Sequence, residues 1–178
     1  MKRIIYYVAC SIDGYISGIN NDISGFVSSG NGVEKYLDDL KEFETVIMGK
    51  NTYEFGYKYG LKPGKPAYPH MMHYIFSKTL SFNNPDEKIN VIKNMHTDEI
   101  ENIKNNSATD VYLCGGGIFA GWLLDNELID ILKLKVNPLI LGEGVKIFGN
   151  STKNYKLKLI RKEGYDEGLL INTYEIKY

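Results

Sequence analysis

The sequence predicts an α/β fold: a central mixed, mostly parallel sheet of about eight strands, layered between helices and closed by a C-terminal antiparallel hairpin. Three observations lead there. Several short apolar runs lack polar alternation, as strands covered on both faces of a parallel sheet do. Two of them, ending at Gly49 and at Gly115-Gly116-Gly117, break into glycine and continue with helical spacing, the strand-turn-helix device of layered α/β proteins. From Tyr155 to Tyr178, two long β-rich runs flank the turn-forming segment Gly164 to Gly168.

Composition sets the outer bounds. With 178 residues and 43% hydrophobic content, the chain is long enough for one well-buried core, and no composition shift marks a second domain. Lys and Arg number 21 against 22 Asp and Glu, a net charge of -1, so no basic excess points to nucleic acid. A small molecule is the expected partner. Met1 to Cys10 is basic and then apolar, like a leader peptide, but its apolar part is short and β-rich and reads as a buried first strand. No apolar run approaches the roughly 20 residues of a membrane span. Cys10 and Cys114 lie in apolar contexts that suit reduced thiols of a cytoplasmic protein.

In chain order, Arg3 to Ile12 is the central strand, and Ser11-Ile12-Asp13-Gly14-Tyr15-Ile16-Ser17-Gly18 follows at the edge where open α/β sheets hold ligands. Asp13 is an acid candidate there, or the head of an Asx turn. Ile19 to Gly32 reads as a mobile Asn-, Ser- and Gly-rich loop. Val33, Tyr36, Leu37, Leu40 and Phe43 then follow helical spacing. Glu34 and Asp38 share a face of this helix, as a proton donor beside a site or as a solvated charged surface.

Thr45 to Met48 is a second buried strand, and Gly49-Lys50-Asn51-Thr52-Tyr53-Glu54 turns into another helix. Lys50 and Thr52 would there offer a cation and a hydroxyl to an anion, or serve only as surface charge and cap. A Pro- and Gly-rich connection leads to the strand His73 to Phe76 and the polar terminus Ser77-Lys78. Ile89 to Ile92 is a fourth strand, and Thr97 to Asn105 a polar helix with Thr97 as its cap. Asp110 opens the strand that ends in the glycine triplet, and a helix runs from Ile118 to Asn126. Lys133 and Lys135 alternate with Leu132, Leu134 and Val136 over Ile129 to Val136, the pattern of a strand with one wetter face. Leu139 to Phe148 is turn-rich.

Some chemistry is missing. His70, His73 and His96 lack the grouping of a zinc or copper site, so no metal is expected. There is no G-x-S-x-G elbow, and Gly60 to Pro66 is one residue short of a phosphate-binding loop. Gly115-Gly116-Gly117-Ile118-Phe119-Ala120 matches a loose dinucleotide fingerprint, yet it falls late in the chain. Glycines followed by a helix start present free N–H groups to a phosphate, or simply make a tight connection.

Three stretches taken together resemble the dihydrofolate reductase superfamily, and within it the C-terminal reductase domain of the riboflavin-biosynthesis enzyme RibD and stand-alone bacterial dihydrofolate reductase-like proteins. They are Ser11-Ile12-Asp13-Gly14-Tyr15-Ile16-Ser17, Val46 to Glu54, and Val111 to Phe148 with its Gly-Gly-Gly helix and Pro-Leu-Ile-Leu-Gly-Glu-Gly. The resemblance implies an NADPH-dependent reductase acting on a pyrimidine- or pterin-like heterocycle, with a 5-amino-6-(5-phosphoribosylamino)uracil or dihydrofolate as substrate, or an NADP-binding protein without turnover. It places the pyrophosphate at Gly115, Gly116 and Gly117, with a cis peptide between the first two and Ile118 and Phe119 following. The adenosine phosphates fall at Gly49, Lys50, Thr52, Ser77 and Lys78, and the nicotinamide near Ala9 and Ile16. Asp13 matches an acid of the riboflavin branch, and Glu34 or Asp38 stands where dihydrofolate reductases carry theirs. The chain departs at Tyr15, Cys114 and Ala120, where the relatives have Lys, Glu and Tyr. Relatives pair, so a homodimer through the Tyr-bearing terminal hairpin is expected.

Overall fold

The computed structural model describes residues 2–178. In chain order its elements are β1 (Ile4–Cys10), β2 (Tyr15–Ser17), α1 (Asn31–Leu40), β3 (Thr45–Gly49), α2 (Lys50–Phe55), β4 (Met72–Phe76), β5 (Ile89–Ile92) and α3 (Thr97–Asn106). They continue with β6 (Val111–Gly115), α4 (Gly117–Asp125), β7 (Ile131–Val136), β8 (Val145–Lys146), β9 (Lys156–Gly164) and β10 (Leu170–Lys177). Eight strands form one sheet in the order β5-β4-β3-β6-β1-β7-β10-β9. All pairings from β5 to β7 are parallel, and β10 runs antiparallel to both β7 and β9. The apolar runs without alternation are the parallel strands, because helices or loops cover both of their faces.

Alternate residues of β1 show the layering. Tyr6 enters one core with Ile47, Leu113, Ile100 and Ile103 of α3, and Phe119 and Leu123 of α4. Tyr7 enters the other, with Val46, Met48 and Tyr112, under Leu40 of α1 and the segment holding Tyr53 and Met71. This is the three-layer arrangement with its terminal hairpin.

Several local expectations change. Thr97 is the first residue of α3 rather than its cap, which falls at His96 without a side-chain hydrogen bond, although Asp98 and Glu99 occupy the first turn. The loop before α1 contains a single 3-10 turn at Ile19–Asn21, and the Val27 N–H donates to the buried Asn137 Oδ1 at 2.9 Å. The turn-rich segment supplies β8, which pairs with β2 outside the main sheet.

The wetter face expected on β7 is covered by α1. Lys133 Nζ donates to Asp39 Oδ2 at 2.6 Å and stands 4.4 Å from the centre of the Tyr7 ring. Lys135 is buried. The periodicity is read correctly, but the face it defines packs against a helix that brings its own carboxylate. At the far edge, β9 leaves Leu157, Leu159 and Ile160 exposed.

Candidate functional site

β1, β3, β4 and β6 run parallel and end at one edge, at Cys10, Gly49, Phe76 and Gly115, where each chain segment turns away. This is the edge at which open α/β sheets bind ligands. The β6 to α4 turn contains a cis peptide between Gly115 and Gly116, with Gly115 at φ 123°, where other residues are strained. No side chain caps α4. Its first N–H groups, from Gly117 to Phe119, precede any possible intrahelical acceptor and concentrate positive potential there.

The two strand-to-helix turns meet. Thr52 of α2 stands so close to Gly116 that a Cβ there would lie 2.9 Å from the Thr52 hydroxyl. Lys50 donates to Thr79 Oγ1 at 3.3 Å and pairs with Glu54 at 3.8 Å. Ser77 Oγ accepts from the N–H groups of Thr79 and Leu80, so its hydroxyl shapes the turn after β4. Beside this turn lies a cavity of about 370 Å³, lined by Phe76 and Trp122 and rimmed by Lys78, Lys93 and His96. Lys78 and Ser77 were legible in the sequence as a polar strand terminus. Lys93 to His96 come from the segment between β5 and α3, and Trp122 from α4, and these carried no local signal.

Some motif residues also meet needs of the chain's own packing. A Cβ on Gly117 would fall 2.1 Å from the Lys146 carbonyl oxygen, and one on Gly121 would fall 2.3 Å from that of Phe148. The third glycine of the triplet is thus demanded by the chain's own backbone. Phe119, expected at the cofactor, is 4% exposed and stacks on Phe76 at 4.7 Å between ring centres. Its side chain belongs to the core, and only its N–H faces the turn. Ile118 projects outward, 73% exposed.

The acid candidates separate. Asp13 accepts the N–H groups of Leu141 at 3.1 Å and Gly142 at 2.7 Å, fastening the β1–β2 turn to the segment before β8. The Ser11 hydroxyl and these two amides lower its carboxyl to about 2. In this geometry both of its oxygens are engaged by backbone N–H groups, so it anchors the loop. Glu34 is exposed on the face of α1 opposite Gly32, Tyr36 and Asp39, and Asp38, also exposed, pairs with Lys41. Helical periodicity put both on outer faces, and the structure brings neither to the sheet edge.

Asp39 is the carboxylate that α1 buries. It binds Lys35 and Lys133 and accepts the Tyr7 hydroxyl at 3.0 Å. Burial opposes its ionisation, but the two ammoniums and the phenol outweigh that and hold its pKa below the ordinary value. On the same side of the sheet, the Tyr36 and Tyr112 hydroxyls share a hydrogen bond at 2.9 Å, and the Tyr68 hydroxyl meets Cys114 Sγ at 3.5 Å. Burial pushes the Cys114 thiol up, and that of Cys10 to about 11, so neither is a thiolate nucleophile. Ala9 and Ile16, both partly exposed, lie at the end of β1 and in β2. Among the described residues no three His, Cys, Asp or Glu side chains converge as a metal site requires.

A parallel sheet with a glycine turn and uncapped helix at the carboxyl edge of its strands, extended by an antiparallel hairpin, defines a dihydrofolate reductase-like α/β fold. The dihydrofolate reductase of Enterococcus faecalis, solved with NADP(H), is similar with a TM-score of 0.67 at 13% identity, covering 99% of this chain and 97% of that one. The chain belongs to the RibD C-terminal domain family, whose model matches residues 2–171. A Shewanella sp. PV-4 protein named for riboflavin biosynthesis is similar over 100% of both chains, with a TM-score of 0.82 and 22% identity. The Thermotoga maritima diaminohydroxyphosphoribosylaminopyrimidine deaminase and 5-amino-6-(5-phosphoribosylamino)uracil reductase is similar with a TM-score of 0.71 and 14% identity. There the match covers 99% of this chain and 57% of the longer enzyme.

Proposed function

We propose that the protein is an NADPH-dependent oxidoreductase delivering hydride to a C=N or C=O bond of a pyrimidine- or pterin-like heterocycle, with the phosphoribosylaminouracil of the riboflavin branch ahead of dihydrofolate. The observation that carries this reading is the convergence, at one sheet edge, of the uncapped α4 start with Lys50, Thr52 and the cavity rimmed by Lys78, Lys93 and His96. These residues fit a dinucleotide. N–H groups at a helix start suit a pyrophosphate. Phe76 and Trp122 offer apolar walls to a base, and the ammonium groups of Lys78 and Lys93 beside the cavity favour the additional phosphate of NADP over NAD. NADPH bound there would supply the hydride, and the protein's part is to position the reactants and exclude water. Ala9 and Ile16 would line the nicotinamide end, while Asp13 holds the loop between them.

A second reading, an NADP-binding protein without turnover, gains from the exposure of Glu34 and the engagement of Asp13, which leave both expected acids away from proton transfer. An NADPH-oxidation screen over dihydrofolate and the phosphoribosylaminouracil separates the two. Turnover with either substrate supports the reductase, whereas tight NADPH binding without oxidation supports the binder. Lys78→Ala should weaken NADPH about tenfold and leave NADH unchanged, the effect of one charge-assisted contact. Equal affinity of the unsubstituted protein for the two cofactors would sink the phosphate assignment.

The same reading makes the protein a cytoplasmic homodimer. Its free thiols suit a reducing compartment, and the open edge at β9, with Leu157, Leu159 and Ile160 uncovered, offers a second copy a strand to pair with. Light scattering at the monomer mass would refute the dimer.

A further inference from the structure

Lys135 carries a positive charge into the protein without a counter-ion. It is 7% exposed. Lys133, two residues earlier on the same face of β7, is held by Asp39, but no carboxylate pairs with Lys135 and burial alone acts on it, lowering its pKa. Its ammonium stands 5.2 Å from the centre of the Tyr36 ring. It is not sealed in, since the single unpartnered and fully enclosed polar side-chain atom among the described residues is Asn172 Oδ1. Lysines commonly reach along apolar surface to water. An ammonium at this depth, with an aromatic face but no carboxylate beside it, loses solvation that an anionic or electron-rich ligand would help to offset.

Its position says which ligand. Lys135 is directly paired with Ala9, at the end of β1, so the two side chains share one face of the sheet. The neighbours on that face are Tyr7 on β1, Tyr112 and Cys114 on β6, Lys35, Tyr36 and Asp39 on α1, and Ile171 and Thr173 on β10. Near neutrality their charges are Lys35 and Lys133 against Asp39, and Glu163 beyond them is paired with Arg161. Adding Lys135 leaves this side of the sheet with two positive charges in surplus, together with phenol groups able to donate or accept hydrogen bonds. An electron-rich or anionic planar ring meets those conditions.

We propose that Lys135 is the substrate-side cation of the site, holding a ring carbonyl or anionic oxygen of the heterocycle over Ala9. This rests on reading the edge as a reductase site, and the test separates the two. Protein with 13C-labelled lysine is titrated with 5,6-diaminouracil and with dihydrofolate, and the Cε resonance of Lys135 is assigned by its loss in Lys135→Met. NADP+ and probe affinities are measured by calorimetry on the same proteins. A probe should move the Lys135 resonance. Lys135→Met should weaken that probe by at least about tenfold, the size of a charge-assisted hydrogen bond, and leave NADP+ affinity unchanged, with Lys135→Arg recovering most of the loss. Replacing an unpaired buried charge by an apolar chain is tolerated, and thermal melting verifies that the variant folds. Lys135→Met binding the probe as the unsubstituted protein does, or neither probe moving the Lys135 resonance, overturns the assignment. If a probe binds through Lys135 while NADP+ does not bind at all, the cofactor reading fails and the Lys135 site stands.

Discussion

Gly117→Ala tests whether the helix that opens the candidate cofactor site is held by backbone approach alone. The added Cβ would sit 2.1 Å from the Lys146 carbonyl oxygen, with the Gly149 nitrogen at 3.1 Å, and contacts under 3.0 Å are essentially unknown for real Cβ atoms. Both neighbours are backbone atoms, so no rotamer relieves the clash. The α4 start and the segment Lys146 to Gly149 must separate by about 1 Å, and overpacking of this kind costs about 1–3 kcal/mol. For a chain of this size, that lowers the melting temperature by about 4–8 °C at the middle of that range. The same displacement moves the free N–H groups of α4, so NADPH affinity should fall as well. Gly121→Ala is the companion variant. Its Cβ would meet the Phe148 carbonyl oxygen at 2.3 Å one helical turn further on. It should lose comparable stability and keep more of the NADPH affinity. Differential scanning calorimetry and NADPH fluorescence titration read both effects. An unchanged melting temperature for Gly117→Ala would refute the close-approach argument.

Three further outcomes follow from the charged groups. Asp39→Asn removes the counter-charge of Lys35 and Lys133, and since both lysines keep some solvent contact the loss belongs near the lower end for a broken buried pair, about 3 kcal/mol by denaturant unfolding. Because the Asp39 pKa is depressed in the folded state, its stabilisation is full above the ordinary carboxylate pKa and fades as pH falls through the folded value, so the variant should show a flatter acid limb below about pH 4. His73 is fully buried and its pKa is pushed down to about 4 by burial. From an unfolded value of about 6.5, the unfolded chain binds the extra proton throughout that window, and stability should drop by roughly 3 kcal/mol as pH falls from 6.5 to 4. Equal urea midpoints at pH 7 and pH 4.5 would contradict it. Asp13→Asn replaces two accepting oxygens by one, so hydrogen exchange should quicken at Leu141 or Gly142, and unaltered exchange at both would show that the clamp does not hold the loop.

The sheet was legible because its information is local. Short unalternating runs of Ile, Val and Tyr bounded by turn residues suit doubly covered strands, and glycine at the ends of β3 and β6 marks where each strand turns into its helix. The polar residues at those ends, Lys50, Thr52, Ser77 and Lys78, could likewise be read in place, because parallel strands deliver their C-terminal ends to one edge whatever their order. What the pattern could not carry was the partner across each face. Lys133 and Lys135 alternate with leucines as solvent-facing residues would, and the passage of α1 over β7 covers them, with Asp39 matching one lysine and no carboxylate matching the other. Glu34 and Asp39 are equally acidic members of one helix, and the direction in which that helix docks decides which is buried. The third glycine of the triplet invites a phosphate when read alone. Its necessity lies in the Lys146 carbonyl, nearly thirty positions later in the chain. Periodicity declares that a residue has a face, and tertiary packing alone decides what that face meets.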